Sequence, residues 1–265
     1  MKIIVCIKQV PDPEHFYKLT VDSQTGSINR GELPAITNPH DRHALEEALR
    51  KKEQHGGMVS VLTMGPSKAR ECLENALAMG ADQGAILNDP SFGGTDTLST
   101  ARILSYGIRQ MGDFDLIICG NETVDGATGQ VPAQLAEFLN IPHVTHAIKV
   151  ELTDEKTALV QRSIEGGYLT IEVKLPALIS VQKKINTCRL PTVMGIMEAA
   201  DKEIIELGPV VCDAFASDKI DACESPTRVV EVFESPSRKN AEMLQGEPEE
   251  IARQLVLRLH EIEAL

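Results

Sequence analysis

Over the first ~145 positions the apolar residues alternate between two patterns. Short, nearly unbroken apolar runs read as buried strands: Ile3–Ile7, Met58–Thr63, Gly84–Leu87, Phe114–Cys119 and a last one around His143–Ile148. Between them, apolar positions recur at helical spacing. Ala44, Leu45, Ala48 and Leu49 form one stripe, with Asn38 as cap, Pro39 at the first position and Gly56-Gly57 as the stop. Cys72, Leu73, Ala76 and Leu77 form a second stripe. A third helix opens at Gly93-Gly-Thr-Asp-Thr97 and runs to about Met111, and a fourth covers Pro132–Leu139. This alternation predicts an α/β fold: a Rossmann-like parallel sheet covered by helices.

The pattern changes beyond residue 148. Val150–Leu152, Ala158–Ile164 and Tyr168–Val173 read as antiparallel hairpin strands, with turns at Asp154-Glu-Lys and Gly166-Gly167. Ala177–Val181 is apolar enough to rejoin the sheet, and Thr192–Ala200 reads as a short helix. From about Gly208 the chain is polar and punctuated by Pro209, Pro226, Pro236 and Pro248, then ends in an amphipathic helix, Glu249–Glu263. The expected division is an α/β domain over 1–206, with its hairpins at about 149–175, and an extended C-terminal arm over 207–265. Such an arm seldom offsets its own ordering entropy. It reads as a segment that wraps a partner, the alternative being a tail packed on its own domain.

The chemistry concentrates where a strand meets a helix. Gly120-Asn-Glu-Thr-Val-Asp-Gly-Ala-Thr-Gly-Gln-Val131 follows the fourth strand and leads into a helix. Open α/β sheets bind ligands at this end of their strands. The helix N-terminus favours phosphate, small residues allow close approach, and Thr123 and Thr128 add hydroxyl donors. The alternative is an ordinary turn. A second cluster is Gly93–Thr100, in which Thr97 and Thr100 share a face of the first helical turn. They could meet a phosphate or flavin edge, or be incidental to a cap at Thr95 or Asp96. No nucleophile elbow, His-Glu-x-x-His or Walker lysine occurs. Any redox chemistry would belong to a bound cofactor.

Composition narrows the class further. The 265 residues carry a formal charge of -13, no Trp and 3% aromatics, which argues against nucleic acid as a partner. No apolar run approaches the ~20 residues of a bilayer span, so no membrane insertion is expected. The six cysteines form no Cys-x-x-Cys pair, and Cys6 and Cys119 fall in apolar strands as buried thiols, which fits a reducing cytoplasm. His40 and His43 read as a solvated helix face rather than a metal site.

The spelling of several segments is more specific. Thr123-Val-Asp-Gly-x-Thr-x-Gln-Val131 after Cys119-Gly120 resembles the nucleotide loop of the electron-transferring flavoprotein β subunit. So do Val5-Cys-Ile-Lys-Gln-Val-Pro-Asp12, Asn38-Pro39, Ala76-Leu-Ala-Met-Gly-Ala-Asp82, Glu165-Gly-Gly167 and Lys174-Leu-Pro-Ala177. The resemblance implies a heterodimer with an α subunit and a bound adenine nucleotide. Its implied cofactor residues are Cys6, Asn38, Asp41, Met64, Thr97, Thr100, Gly120, Asn121, Thr123, Val124, Asp125, Gly126, Thr128, Gly129, Gln130 and Val131.

Asp125-Gly-Ala-Thr128 and the Thr97/Thr100 pair resemble the electron-bifurcating type, which holds FAD there; Ala127 and Gly129 stand where Asp and Ala are the commoner spelling. That type takes hydride from NADH. It sends one electron through the α-subunit FAD to a flavin-dependent dehydrogenase of acyl-CoA or lactate type, and the other to ferredoxin or flavodoxin. The alternatives are a housekeeping β subunit with structural AMP, and a stand-alone ATP-binding stress-type protein. The resemblance also makes 186–197 a dehydrogenase recognition loop with Val193 as its apolar anchor. The residues themselves read compatibly, Leu190, Val193, Met194 and Met197 forming an apolar, adaptable surface. Core packing of a short helix is the competing explanation there.

Overall fold

The computed structural model describes residues 1–18, 20–21, 28–29, 33–207, 225–227, 230 and 243–261. They belong to two compact units, Met1–Val230 and Glu231–Leu265. The first unit is built on a nine-stranded sheet. In chain order its strands are β1 (Lys2–Ile7), β2 (Met58–Met64), β3 (Gln83–Leu87), β4 (Leu116–Gly120), β5 (His143–Leu152), β6 (Thr157–Ile164), β7 (Gly167–Lys174), β8 (Ala177–Val181) and β9 (Ile204–Leu207). Across the sheet they run β7-β6-β5-β8-β4-β1-β2-β3-β9. The strands from β5 to β9 pair in parallel, and β6 and β7 extend one edge as an antiparallel hairpin.

Helices α1 (Pro39–His55) and α2 (Arg70–Met79) cover one face, and α3 (Thr97–Met111) and α4 (Val131–Leu139) the other. The central strands are therefore dry on both sides, which is why they read as unbroken apolar runs rather than alternating ones. Ile3, Val5, Val61 and Ile118 pack with Leu45, Leu49, Leu73 and Leu77 on one face. Ile4, Leu62, Leu87 and Ile117 pack with Ile103, Ile108 and Leu135 on the other. The chain leaves β1 through α1 toward β2 and β3, then returns through α3 to β4 on the opposite side of β1. The strand order thus reverses between β1 and β4, and their C-terminal ends open the crevice where such sheets take ligands.

Three elements differ from the sequence reading. His143–Ile148 and Val150–Leu152 are one ten-residue strand, β5. Its buried residues Val144, Ala147 and Val150 lie three apart, so the period of two looks broken. Register shifts against both neighbours, with His146 in the left-handed region (φ 58°), restore the alternation. Edge strand β9 went unpredicted because its four residues carry neither a turn signal nor a long apolar run. A two-stranded ladder, Gln9–Pro11 with Ala35–Thr37, also precedes α1.

The extended part of the predicted arm lies mostly outside the described residues. In the second unit, α6 (Pro248–Glu261) is helical as expected, none of its residues is buried, and Leu255, Val256 and Leu257 are exposed. Among the described residues no helix is long and apolar enough to cross a membrane.

Candidate functional site

Four segments meet at the β1/β4 reversal, and their joints are hydrogen bonds to the backbone. Lys8, the first residue after β1, donates its N–H to Asp41 Oδ2 (2.8 Å), and its carbonyl accepts from Asn38 N–H (2.9 Å). Asn38 is fully buried at the N-cap position of α1, but its side chain makes no capping bond. Nδ2 instead donates to the Glu122 carbonyl (2.9 Å), and Oδ1 accepts from Val124 N–H (3.2 Å). The expected cap is thus a tie between α1 and the loop after β4. The Asn38 carbonyl takes the first helical N–H groups, from Asp41 and Arg42, while Pro39 has none to satisfy.

Asp41 sits directly beneath that loop. Burial pushes its carboxyl up to about 7, against hydrogen bonds from Asn38, Lys8 and Gly120 that favour the charged form. A side chain at Gly120 would collide with the Asp41 carboxylate and come within 2.8 Å of His40, so only glycine lets β4 end here. Cys6 and Cys119 are direct neighbours across β1 and β4, and both are buried. The hydrogen bond with Cys6 and burial raise the Cys119 thiol well above its ordinary range, which keeps it protonated. Met64, at the end of β2, is partly buried against the α3/α4 side of the core.

The loop itself is held at both ends and open at its tip. Asn121 N–H donates to the Val181 carbonyl (2.9 Å), and Ser180 Oγ donates to Asn121 Oδ1 (3.3 Å). Ala127 N–H closes a turn on the Thr123 carbonyl (2.8 Å). Ala127 (φ 49°) and Gly129 (φ 62°) are left-handed, and Gly126, Ala127 and Thr128 are exposed. Val131 opens α4, and Gln130 at the N-cap position supplies no side-chain cap. Asp125 is engaged by Lys8, whose Nζ lies 2.8 and 2.9 Å from its two oxygens.

The second threonine cluster reaches the same place. Asp96 caps α3 by accepting the Ser99 N–H (2.9 Å), as one of the two sequence alternatives held. Thr97 Oγ1 nevertheless donates to Gln130 Oε1 (3.1 Å), joining the α3 N-terminus to the loop, while Thr100 Oγ1 pairs with Thr95 Oγ1 (3.2 Å). Asp96 also receives the Thr227 N–H (3.1 Å) and gives its own N–H to Ser225 Oγ (2.8 Å). Ser225 and Thr227, within the segment read as a partner-wrapping arm, thus contact the α/β domain of their own chain.

His40 and His43 are not a solvated face. His40 Nε2 is 3.8 Å from Glu122 Oε1, and His43 Nδ1 is 2.8 Å from Asn186 Oδ1. The apolar stripe that orients α1 toward the sheet also carries these polar neighbours into the loops. Burial, with Lys183 nearby, lowers the His40 pKa and favours the neutral ring. No cluster suited to a metal ion exists among the described residues.

The model of the electron transfer flavoprotein domain matches residues 25–210. The chain belongs to the electron transfer flavoprotein family. Among its relatives is an electron transfer flavoprotein subunit beta of Thermoanaerobacterium thermosaccharolyticum, 40% identical over 262 residues that cover 98% of each chain. The caffeyl-CoA reductase-Etf complex subunit CarD of Acetobacterium woodii is 40% identical over 270 residues, with 98% of each chain covered. The acryloyl-CoA reductase electron transfer subunit gamma of Anaerotignum propionicum is 38% identical over 269 residues, again 98% of each. The β-subunit resemblance read from the sequence stands, and the stand-alone stress-protein alternative is left behind.

A further surface of this electron transfer flavoprotein chain is the 186–197 loop. It is anchored on α1: Asn186 bonds the His43 carbonyl and Glu47, and the Arg50 guanidinium donates to the Thr187 carbonyl. Arg189 grips Glu46 and Glu53. Burial works to raise the Glu46 pKa, but hydrogen bonds from Arg189 and Arg50 hold it below the ordinary value. The helix that follows, α5 (Val193–Ala199), rests on α2 so closely that a side chain at Gly195 would collide with the Ala78 carbonyl. Its outer side and the preceding turn expose Leu190, Val193, Met194 and Met197. Ile196 is exposed with them, and the sequence reading omitted it. Core packing of α5, the competing explanation, does not occur, since none of its residues is buried. Lys8 was also missed: a lone lysine after a strand gives no local signal, and only the fold brings it to Asp125.

Proposed function

We propose that the chain is the β subunit of a heterodimeric electron-transferring flavoprotein, and that its 120–131 loop holds the FAD of an electron-bifurcating system. The residues fit such a group. Gly120, with no Cβ to meet Asp41 or His40, lets the end of β4 pack against α1, the tip of the loop is built of small residues, and α4 starts without a side-chain cap. A diphosphate there would meet the N-terminal N–H groups of α4. The observation that carries the reading is the Thr97–Gln130 contact, which joins the two clusters expected to bind one ligand. When bound, the flavin supplies hydride acceptance from NADH and one-electron transfer.

The chain's own part is to hold that group. Asn38 and Asp41 fix the loop to the switch point, Thr97 and Thr100 present hydroxyls at the α3 N-terminus, and Gly126 to Gly129 admit phosphate. The electrons would pass to a flavin-dependent dehydrogenase, through the α-subunit FAD, and to ferredoxin or flavodoxin. Two relatives carry names of acyl-CoA-type reductase complexes, caffeyl-CoA and acryloyl-CoA, which supports a dehydrogenase partner of that type. The surface around Val193 would dock it. The free thiols Cys6, Cys72, Cys119 and Cys188 suit a reducing cytoplasm.

The second reading is a β subunit with structural AMP, whose phosphate would meet the same N-terminal N–H groups of α4. The test is the flavin content of the heterodimer carrying Asp125→Ala with Thr97→Val. The FAD reading predicts loss of one of its two flavins with the α-subunit flavin retained. Unchanged flavin content would count against these residue assignments.

A further inference from the structure

The 120–131 loop contains Glu122 and Asp125 and no basic residue. Two carboxylates beside a phosphate-binding helix N-terminus oppose the anion that the helix favours. The structure answers this with a cation from another strand. Lys8 Nζ contacts both oxygens of Asp125, whose side chain is only 6% exposed, while the Lys8 side chain remains 42% exposed. The pair spans the reversal point, because Lys8 follows β1 and Asp125 follows β4. The Lys8 backbone is fixed by Asp41 and Asn38, so the ammonium is delivered from a rigid base. The other carboxylate of the loop, Glu122, faces His40 at 3.8 Å.

Resting on the nucleotide reading above, we infer that Lys8 is a positioning residue for the ligand phosphate: it neutralises Asp125 and so admits an anionic nucleotide to a loop that is otherwise acidic. It acts through Asp125 rather than by touching the ligand. Removing the ammonium should therefore harm binding only while Asp125 is charged.

The test uses the heterodimer stripped of the β-site nucleotide and titrated calorimetrically with FAD and, separately, with AMP. Parent, Lys8→Met, Asp125→Asn and the double variant are compared at low and high salt. Lys8→Met should weaken both nucleotides by about tenfold, the scale of one partly screened charge, with a smaller loss at high salt. In the Asp125→Asn background the same Lys8→Met change should alter affinity by less than about twofold, the signature of coupled sites. Lys8→Arg should bind like the parent. An unchanged affinity in Lys8→Met overturns the inference. So does an equal loss in both backgrounds, which would place Lys8 on the ligand or in the scaffold; thermal unfolding of the stripped variants separates those two. Because both ligands carry phosphate, the inference survives if the site prefers AMP. A parent that binds neither nucleotide would overturn the nucleotide reading itself.

Discussion

At the scale of single residues, Asn38 and Asp41 are buried polar groups held by backbone from other segments. Asp41 is the clearest case. Its folded-state pKa of about 7 lies above the ordinary 3.8. The folded protein therefore binds a proton that the unfolded chain releases in between. This contribution to stability is fully present below the unfolded value and is lost as pH rises through the folded one. Asp41→Asn, which stays neutral, should be destabilised relative to the parent at pH 5, and the difference should shrink toward pH 8. At its steepest the change is about 1.4 kcal/mol per pH unit. Unfolding free energies across that range check it, and a constant difference would show that Asp41 is ionised throughout. The importance of Asn38 and Gly120 was legible in the sequence, but not their tasks. Asn38 looked like a cap because capping is local, whereas its real partners, Glu122 and Val124, are more than eighty positions away.

At the scale of elements, helical stripes and unbroken apolar runs predicted α1 to α4 and the central parallel strands β1 to β4 and β8, because burial on two faces writes itself directly into composition. What failed was local irregularity. The register shifts in β5 disguise its period, and β9 owes its existence to pairing with β3, a long-range contact without a sequence signature. The short helix α5 shows the reverse: its apolar residues left surface and core packing both open in the sequence, and the fold exposes them. Val193 is 76% exposed. Val193→Glu should therefore leave thermal stability within about 0.5 kcal/mol of the parent. Nucleotide content should also be unchanged, while electron transfer to the dehydrogenase weakens several-fold. A loss of stability in that variant would instead assign Val193 to packing.

At the scale of the whole molecule, the fold separates two tasks. The C-terminal ends of β1 and β4 form the crevice proposed to hold the nucleotide, and the 186–197 loop on α1 and α2 offers an apolar surface. The sequence expected the arm to begin near 207, but Ser225 and Thr227 hydrogen-bond to Asp96 of the α/β domain, and the first compact unit extends to Val230. Composition alone could not place that boundary, since a polar, proline-punctuated segment reads the same whether it lies on its own domain or on a partner. A chain ending at residue 230 should keep the cooperative unfolding of the α/β domain and lose association with the α subunit, measured by co-purification. Retained association would move the partner surface onto the first unit.

The central claim, that this chain holds the second flavin of a bifurcating system, is tested most directly by denaturing the intact heterodimer and separating the released nucleotides by chromatography. The account predicts two FAD per heterodimer and no AMP. One FAD with one AMP would contradict it, and would leave the chain as a structural and docking subunit.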